Sequence, residues 1–269
     1  DRSDELRAPD GSNHSTLVVN LYYPPDTAST GHLLHDLCAG LVDRGLDVHV
    51  LTGQPSYSNS TGQVVDIETL DGVSVTRVST LTQSSGTNII KRSISYGVFM
   101  LKAWRKAVQI AKTERVQSVI TVSNPPIVGM IGRRVAMKLD IPFHYILFDI
   151  HPDALTVTGS FKLPPGVPRA WNWLNRRIWS AATNILVPGH YMCTHLVQKH
   201  GIQPDKVKVL PLWATPELTS VAEDPTVRSE LGFKSDSLLL VHAGNIGLMH
   251  RIHDLIDAVG SVAQLNVEM

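Results

Sequence analysis

The chain has 269 residues, 43% of them hydrophobic and 18% charged, and its 24 basic side chains are offset by 24 acidic ones. Such a chain is long enough to bury a sizeable core, and a net charge of zero excludes a global field that would draw it to nucleic acid, so any basic site must be local. Cys38 and Cys193 are the only cysteines, which excludes a disulfide framework and fits a reducing, cytoplasmic setting.

The sequence opens at Asp1, and residues 1–15 are polar, without the apolar stretch of a signal peptide; this reads as the start of a fragment. Nowhere does an apolar run approach the roughly 18 residues of a membrane span. Leu17–Tyr22 is the first buried-strand run, followed by Pro24-Pro25, a small-residue loop from Thr27 to Gly31, and a helix with Leu34, Leu37, Cys38 and Leu41 on one face, stopped by Gly45. Asp47–Thr52 is the next strand and completes a βαβ unit. A hairpin or loop fills Gln54 to Gly72, and a strand resumes at Val73–Val78. The spacing of Ile94, Val98, Leu101, Trp104, Val108 and Ala111 predicts one apolar stripe of a helix. Strands are expected at 118–122, 143–148, 184–187 and 206–210, and helices at about 128–139, 168–182 and 190–200. This alternation implies an α/β fold with a doubly wound parallel sheet over 14–213. Residues 214–236 read as a linker with Pro216 and Pro225. A second domain of the same kind starts at 237, with a strand at Leu238–Val241, a helix around Ile252–Val259 and part of a strand at 265–269. So little of it cannot bury its own apolar faces, and the second domain is expected to be incomplete.

In an open parallel sheet the ligand site lies outside the carboxyl ends of the strands, which singles out the loops at Tyr23–Gly31, Thr52–Tyr57, Ser123–Pro126, Asp149–Asp153 and Gly189-His190. The first loop lacks the G-x-G-x-x-G and P-loop spacings, so a dehydrogenase or NTPase is not expected. Thr27, Ser29, Thr30 and Gly31 stand at a helix N-terminus, where they either cap the helix or present amides to an anion or acceptor. Ser123 and Asn124 occupy the equivalent loop after a later strand. Asp149, His151 and Asp153 form the densest ionisable cluster; a carboxylate beside an imidazole can orient a sugar hydroxyl or move a proton, or Asp153 can simply cap a turn. Gly244, Asn245, Gly247, His250 and Arg251 make either an ordinary turn or a phosphate cradle. His32, His35 and Cys38 lack zinc-site spacing, and no metal is expected. Lys102, Arg105 and Lys106 in one helix, and Trp173, Arg176 and Arg177 in another, form either solvated faces or a surface that meets anionic lipid.

Taken in chain order, Tyr22-Tyr23-Pro24-Pro25-Asp26 with Thr30-Gly31, the Leu37–Gly45 and Asp47–Thr52 segments, Ser123–Pro126, Phe148–Asp153 with Gly159, Val209–Trp213, and Ala243–Gly247 with His250 resemble the family-four glycosyltransferases of the GT-B fold. The resemblance is strongest to the branch that builds colanic-acid-like exopolysaccharides. It implies a Rossmann-like acceptor-side domain followed by the start of a nucleotide-sugar domain, and transfer of a sugar, with retention, from a nucleotide-diphosphate donor to a glycan or lipid-linked acceptor. It also implies that helix N-termini and basic side chains, rather than a metal or other cofactor, neutralise the leaving diphosphate. Asn245 and His250 stand where many relatives carry Arg and Lys, which moves phosphate contacts toward Arg251 and the backbone. The family's paired-glutamate motif has no match, so this stretch alone is expected to be inactive. Two other readings remain: a sugar-nucleotide epimerase on the same fold, and a non-catalytic acceptor- or membrane-binding module completed by a partner chain. The location implied is cytoplasmic, at most peripheral to the inner face of the membrane.

Overall fold

A computed structural model describes residues 14–26, 28–55, 65–79, 89–157, 163–214, 226–234, 237–244, 252–262 and 267–268. The chain forms two compact units, one of residues 1–152 and 164–213, the other of residues 153–163 and 214–269.

In the first unit the elements run β1 (Ser15–Val19), α1 (Ser29–Val42), β2 (Asp47–Gly53), β3 (Ile67–Leu70), β4 (Val73–Val78), α2 (Ile89–Thr113), β5 (Ser118–Val122), a 3-10 turn (Pro126–Val128), α3 (Gly129–Leu139) and β6 (Phe143–Ile146). A short helix, α4 (Asp153–Val157), belongs to the second unit; α5 (Val167–Ala181), β7 (Asn184–Val187), α6 (His190–His200) and β8 (Val207–Val209) then complete the first. All the strands make one eight-stranded sheet in the order β3-β4-β2-β1-β5-β6-β7-β8. Every pairing is parallel except that of β3 with β4. The chain steps outward from β1 to β2 and β4, then returns through α2 to β5 on the other side of β1. Strand order therefore reverses between β1 and β5, and the crevice outside their carboxyl ends is where a sheet of this kind takes its ligand.

Both faces of the sheet are apolar, as continuous runs such as Ser15–Val19 require. On one face Leu17, Val19, Val119, Phe143 and Tyr145 pack under Phe99 of α2, Ile131 and Val135 of α3, Ile178 and Trp179 of α5 and Leu196 of α6. On the other, Val18, Val50, Val75 and Ile146 pack with Leu34 and Cys38 of α1. The hairpin expected before Val73 is β3–β4. Its two turn residues, Asp71 (φ 48°) and Gly72 (φ 76°), are both left-handed, as a type I′ turn demands.

Two expectations are corrected. The first strand lies earlier than Leu17–Tyr22, because the chain leaves the sheet at Asn20, whose side-chain amide donates to the Tyr22 carbonyl at 2.7 Å. The core stripe of α2 is also rotated from the one expected: Phe99, Ala103, Ala107, Ile110 and Ala111 are buried, while Ile94 and Leu101 are 53% and 66% exposed. The small side chains of Ala103 and Ala107 let the helix lie close to the sheet, and that close approach outweighs the bulk of Leu101.

The second unit contains, among its described residues, α4, a short helix α7 (Val227–Glu230), and α8 (Ile252–Ser261). A parallel pair of two-residue strands, β9 (Leu238–Leu239) and β10 (Val267–Glu268), lies with them. Arg228 fastens α7 to the start of β9, donating to the carbonyls of Lys234 at 2.9 Å and Ser237 at 2.6 Å. No helix among the described residues is long and apolar enough to cross a membrane.

Candidate functional site

Because β1, β5, β6 and β7 run parallel, their following loops all emerge at one edge of the sheet, and each is fastened there by hydrogen bonds. After β1, Thr52 Oγ1 donates to the Leu21 carbonyl at 3.0 Å and Arg77 Nη2 to the Pro24 carbonyl at 2.5 Å. The loop then feeds α1, whose first turn lies against it. A Cβ on Gly31 would sit 3.3 Å from the Tyr22 carbonyl carbon and 3.4 Å from Tyr23 Cα, so only glycine permits this approach without pushing the loop away. Ala28 is the N-cap residue, with no side-chain hydrogen bond to the helix, and Thr30 Oγ1 is buried without a partner. The capping reading of Ser29 and Thr30 therefore has no hydrogen bond behind it among the described residues, and the Gly31 amide turns back to the Ala28 carbonyl at 2.8 Å. Thr27 lies outside the described residues.

Ser123 is buried, its amide donating to the Ile146 carbonyl at 2.9 Å and its hydroxyl accepting from the Phe148 amide at 3.0 Å. Its side chain thus clamps the β5 loop to the β6 loop, while the neighbouring Asn124 stays half-buried. The β6 loop delivers Asp149, exposed, and His151, half-buried. The His151 carbonyl accepts from Asn175 Nδ2 at 2.6 Å, and its ring centroid lies 5.7 Å from that of Trp171. Burial against this helix lowers the His151 pKa, with the Asp149 charge pulling the other way. The ring is consequently neutral near pH 7, and its Nδ1 is buried with no hydrogen-bond partner. A neutral imidazole can take or give a hydrogen bond to a ligand hydroxyl through its other nitrogen, Nε2. The structure brings together Asp149 and His151; Asp153 falls in the second unit, where it opens α4. Among the described residues the cis prolyl bonds, at Pro25, Pro125 and Pro152, all lie in these three loops.

Two side chains that shape this site, Trp171 and Asn175, were not expected there. The available signal was Asn175, an amide on the buried face of α5 beside Leu174 and Ile178. A second unforeseen contact is a chain of hydrogen bonds: Tyr23 OH meets His35 Nδ1 at 3.0 Å, and His35 Nε2 meets Asp71 Oδ2 at 3.0 Å. It ties the β1 loop through α1 to the β3–β4 turn. Tyr23 and Cys38 are buried beside each other; burial pushes the Tyr23 hydroxyl well above its usual range and the Cys38 thiol up to about 12.

Of the expected phosphate cradle, Gly244 is exposed, while Asn245, Gly247, His250 and Arg251 lie outside the described residues. Lys102 and Arg105 are exposed and Lys106 half-buried on α2, and Lys102 Nζ donates to the Ser79 carbonyl at 3.1 Å. On α5, Trp173, Arg176 and Arg177 are exposed, with the Arg177 guanidinium 4.3 Å above the Trp173 ring.

A family model described as "Glycosyl transferase 4-like domain" matches residues 30–213, and the chain belongs to that family. No curated protein matches it. Among solved structures, the chain is similar to the catalytic domain of starch synthase IV from Arabidopsis thaliana bound to ADP and acarbose. The two are 10% identical with a TM-score of 0.59, covering 96% of this chain and 67% of that one. UGT2 from Phytolacca americana, complexed with UDP-2-fluoro-glucose and pterostilbene, matches at 17% identity and a TM-score of 0.50, covering 88% of this chain and 61% of that one. A glycosyltransferase from Rickettsia africae matches at 12% identity and a TM-score of 0.48, covering 87% of this chain. This chain spans 53% of the Rickettsia protein and 61% of UGT2. At these identities the likeness is one of fold, a mostly parallel α/β sheet shared with glycosyltransferases.

Proposed function

We propose that the protein transfers a sugar from a nucleotide-diphosphate donor to a glycan or lipid-linked acceptor, with retention, in the synthesis of an exopolysaccharide or other cell-surface glycan. The observation that carries this reading is the carboxyl-edge cluster at the sheet's reversal point, where Gly31, Asn124, Asp149 and His151 gather in a domain of a glycosyl transferase family. In it the first unit takes the acceptor. His151, neutral and oriented by Asn175 and Trp171, hydrogen-bonds a sugar hydroxyl, and Asp149 holds positive charge that develops on the transferred sugar. The second unit takes the donor, with Gly244, Asn245, Gly247, His250 and Arg251 around the diphosphate. The leaving group is neutralised by helix amides and basic side chains without a metal. Exposed Leu101 and Trp173, each beside cationic residues, support contact of α2 and α5 with an anionic bilayer.

Because these 269 residues alone are expected to be inactive, the test joins the chain to a complete nucleotide-sugar unit, incubates it with UDP-, GDP- and ADP-sugars and a polyprenyl-diphosphate-linked sugar, and measures nucleotide release and glycosylated product. Product from one donor is expected, with Asp149→Asn and His151→Ala lowering turnover far more than donor affinity. Donor altered without any acceptor product would point to an epimerase, and neither product nor donor binding would overturn the reading.

A further inference from the structure

We infer that the groove between β4 and α2 binds a phosphate or diphosphate group, the anionic end of a phosphorylated acceptor; the assignment of that group to an acceptor rests on the transferase reading above. Among the described residues the groove encloses about 590 Å³ and is lined by Arg77, Ser79, Lys102, Arg105, Lys106 and Asp66. Four cations face Asp66 and Glu68, the latter paired with Arg77, which leaves a surplus of two positive charges in a chain whose net charge is zero.

The cations are held in different ways. Arg77 is 3% exposed and fixed by Glu68 and by the Pro24 carbonyl, with its Nη1 left without a hydrogen-bond partner. Lys102 is held against the Ser79 carbonyl and hydroxyl. Arg105 and Lys106 have no hydrogen bond or ion pair with any other described residue. Lys102, Arg105 and Lys106 are spaced three and four apart on one helix, where like charges repel and destabilise the helix unless an anion sits between them. Two guanidinium and two ammonium groups around a groove suit the oxygens of a tetrahedral phosphate, which can accept from several of them at once. Pro24 belongs to the loop after β1. An anion in this groove therefore lies at the same carboxyl edge as Gly31 and Asn124, placing the rest of a phosphorylated acceptor beside the candidate site.

Isothermal titration of the 269-residue chain with inorganic pyrophosphate tests the inference, against Arg105→Gln/Lys106→Gln and against Lys138→Gln as a control on α3. Pyrophosphate is expected to bind wild type and the control alike, and the double variant about tenfold or more weakly, in line with loss of charge-assisted bonds. Flotation with neutral vesicles, with or without a polyprenyl diphosphate, separates the sources. Flotation that needs the diphosphate lipid and is reversed by pyrophosphate identifies a headgroup ligand, and pyrophosphate binding without flotation identifies a soluble phosphorylated one. No pyrophosphate binding by wild type, or equal binding by a folded double variant, overturns the groove. Nucleotide release in the transfer assay is read separately, so a failed groove leaves the transferase reading standing and a failed transferase leaves the pyrophosphate result intact.

Discussion

Gly132 sits on the face of α3 that presses on β5 and β6, and Gly132→Ala should destabilise the first unit. A Cβ there would lie 2.4 Å from Phe143 Cε2 and 2.7 Å from Thr121 Cγ2, and both neighbours are fully buried. Ordinary contact begins near 3.4 Å, so the helix must back away by roughly 1 Å or the Phe143 ring must leave its rotamer. Overpacking of this kind costs about 1–3 kcal/mol, and the better helix propensity of alanine returns about 1 kcal/mol. With two clashes at once the net is expected at about 1–2 kcal/mol of destabilisation, a drop of about 2–4 °C in Tm per kcal/mol for a unit of this size. Gly97 supplies the control: it is exposed on α2 with nothing within 4 Å of an added Cβ, so Gly97→Ala should stabilise by about 0.5–1 kcal/mol. Urea titrations of the three proteins decide it. Gly132→Ala as stable as wild type would refute the close-packing argument. A displaced Phe143 also reaches the site, because its ring centroid lies 6.0 Å from that of Tyr145, whose OH donates to the Pro126 carbonyl at 3.3 Å in the turn after Asn124.

Burial lowers the pKa of both His144 and His151 in the folded chain, whereas the unfolded chain protonates near its ordinary value of about 6.5. Between those values the unfolded state binds more protons, so this stability is complete above about pH 6.5 and is lost as pH falls through the folded pKa values. His151→Gln should flatten part of that slope, and Asp149→Asn should move the His151 NMR titration further down; a denaturation midpoint indifferent to pH between about 7 and 5 would contradict both. Cys193 should alkylate in the native protein while Cys38, buried and with its thiol pushed up to about 12, reacts only on unfolding. Equal native labelling rates would show that α1 opens readily from the sheet.

Ser118–Val122 was legible in the sequence because a parallel strand covered on both faces needs a nearly unbroken apolar run, and Val73–Val78 because its valines alternate with polar residues at the period of a strand. The carboxyl-edge loops followed from topology alone. What stayed illegible depends on distances between elements. The α2 stripe was misplaced because apolar spacing weighs Leu101 above Ala103, whereas packing against a sheet favours the smaller residue. Gly129 and Gly132 look like poor helix formers until Ile178 and Phe143 are seen to fill the space beside them. Ser123 was expected to face a ligand, yet a buried serine with one hydroxyl satisfies the Phe148 amide first, since leaving that amide unpaired would cost more than a solvent-exposed contact returns. The Tyr23–His35–Asp71 chain joins residues from three elements, and no local spacing encodes it.

The two units differ most in what they bury, and amide exchange should differ accordingly. Among the described residues every buried apolar side chain belongs to the first unit. In the second, Leu238 is 62% exposed, Val241 78%, Leu255 36% and Ile256 55%. Full burial of such a side chain contributes about 1.5–3 kcal/mol, so the exposed parts of these four forgo about 3–7 kcal/mol. That is a large share of the whole stability of an ordinary domain, about 5–15 kcal/mol. The hydrogen bonds of α8 then have little to prevent local opening, while those of β1 and β5, at the centre of the sheet, open only with the unit as a whole. Amides of residues 254–261 are therefore expected to exchange orders of magnitude faster than those of 118–122 in the monomer. Slow exchange that appears only as protein concentration rises would mean that a second copy covers Leu255 and Ile256. Protection in α8 equal to that in β5, measured on a protein shown by light scattering to be monomeric, would refute the inference that these apolar side chains are uncovered in solution.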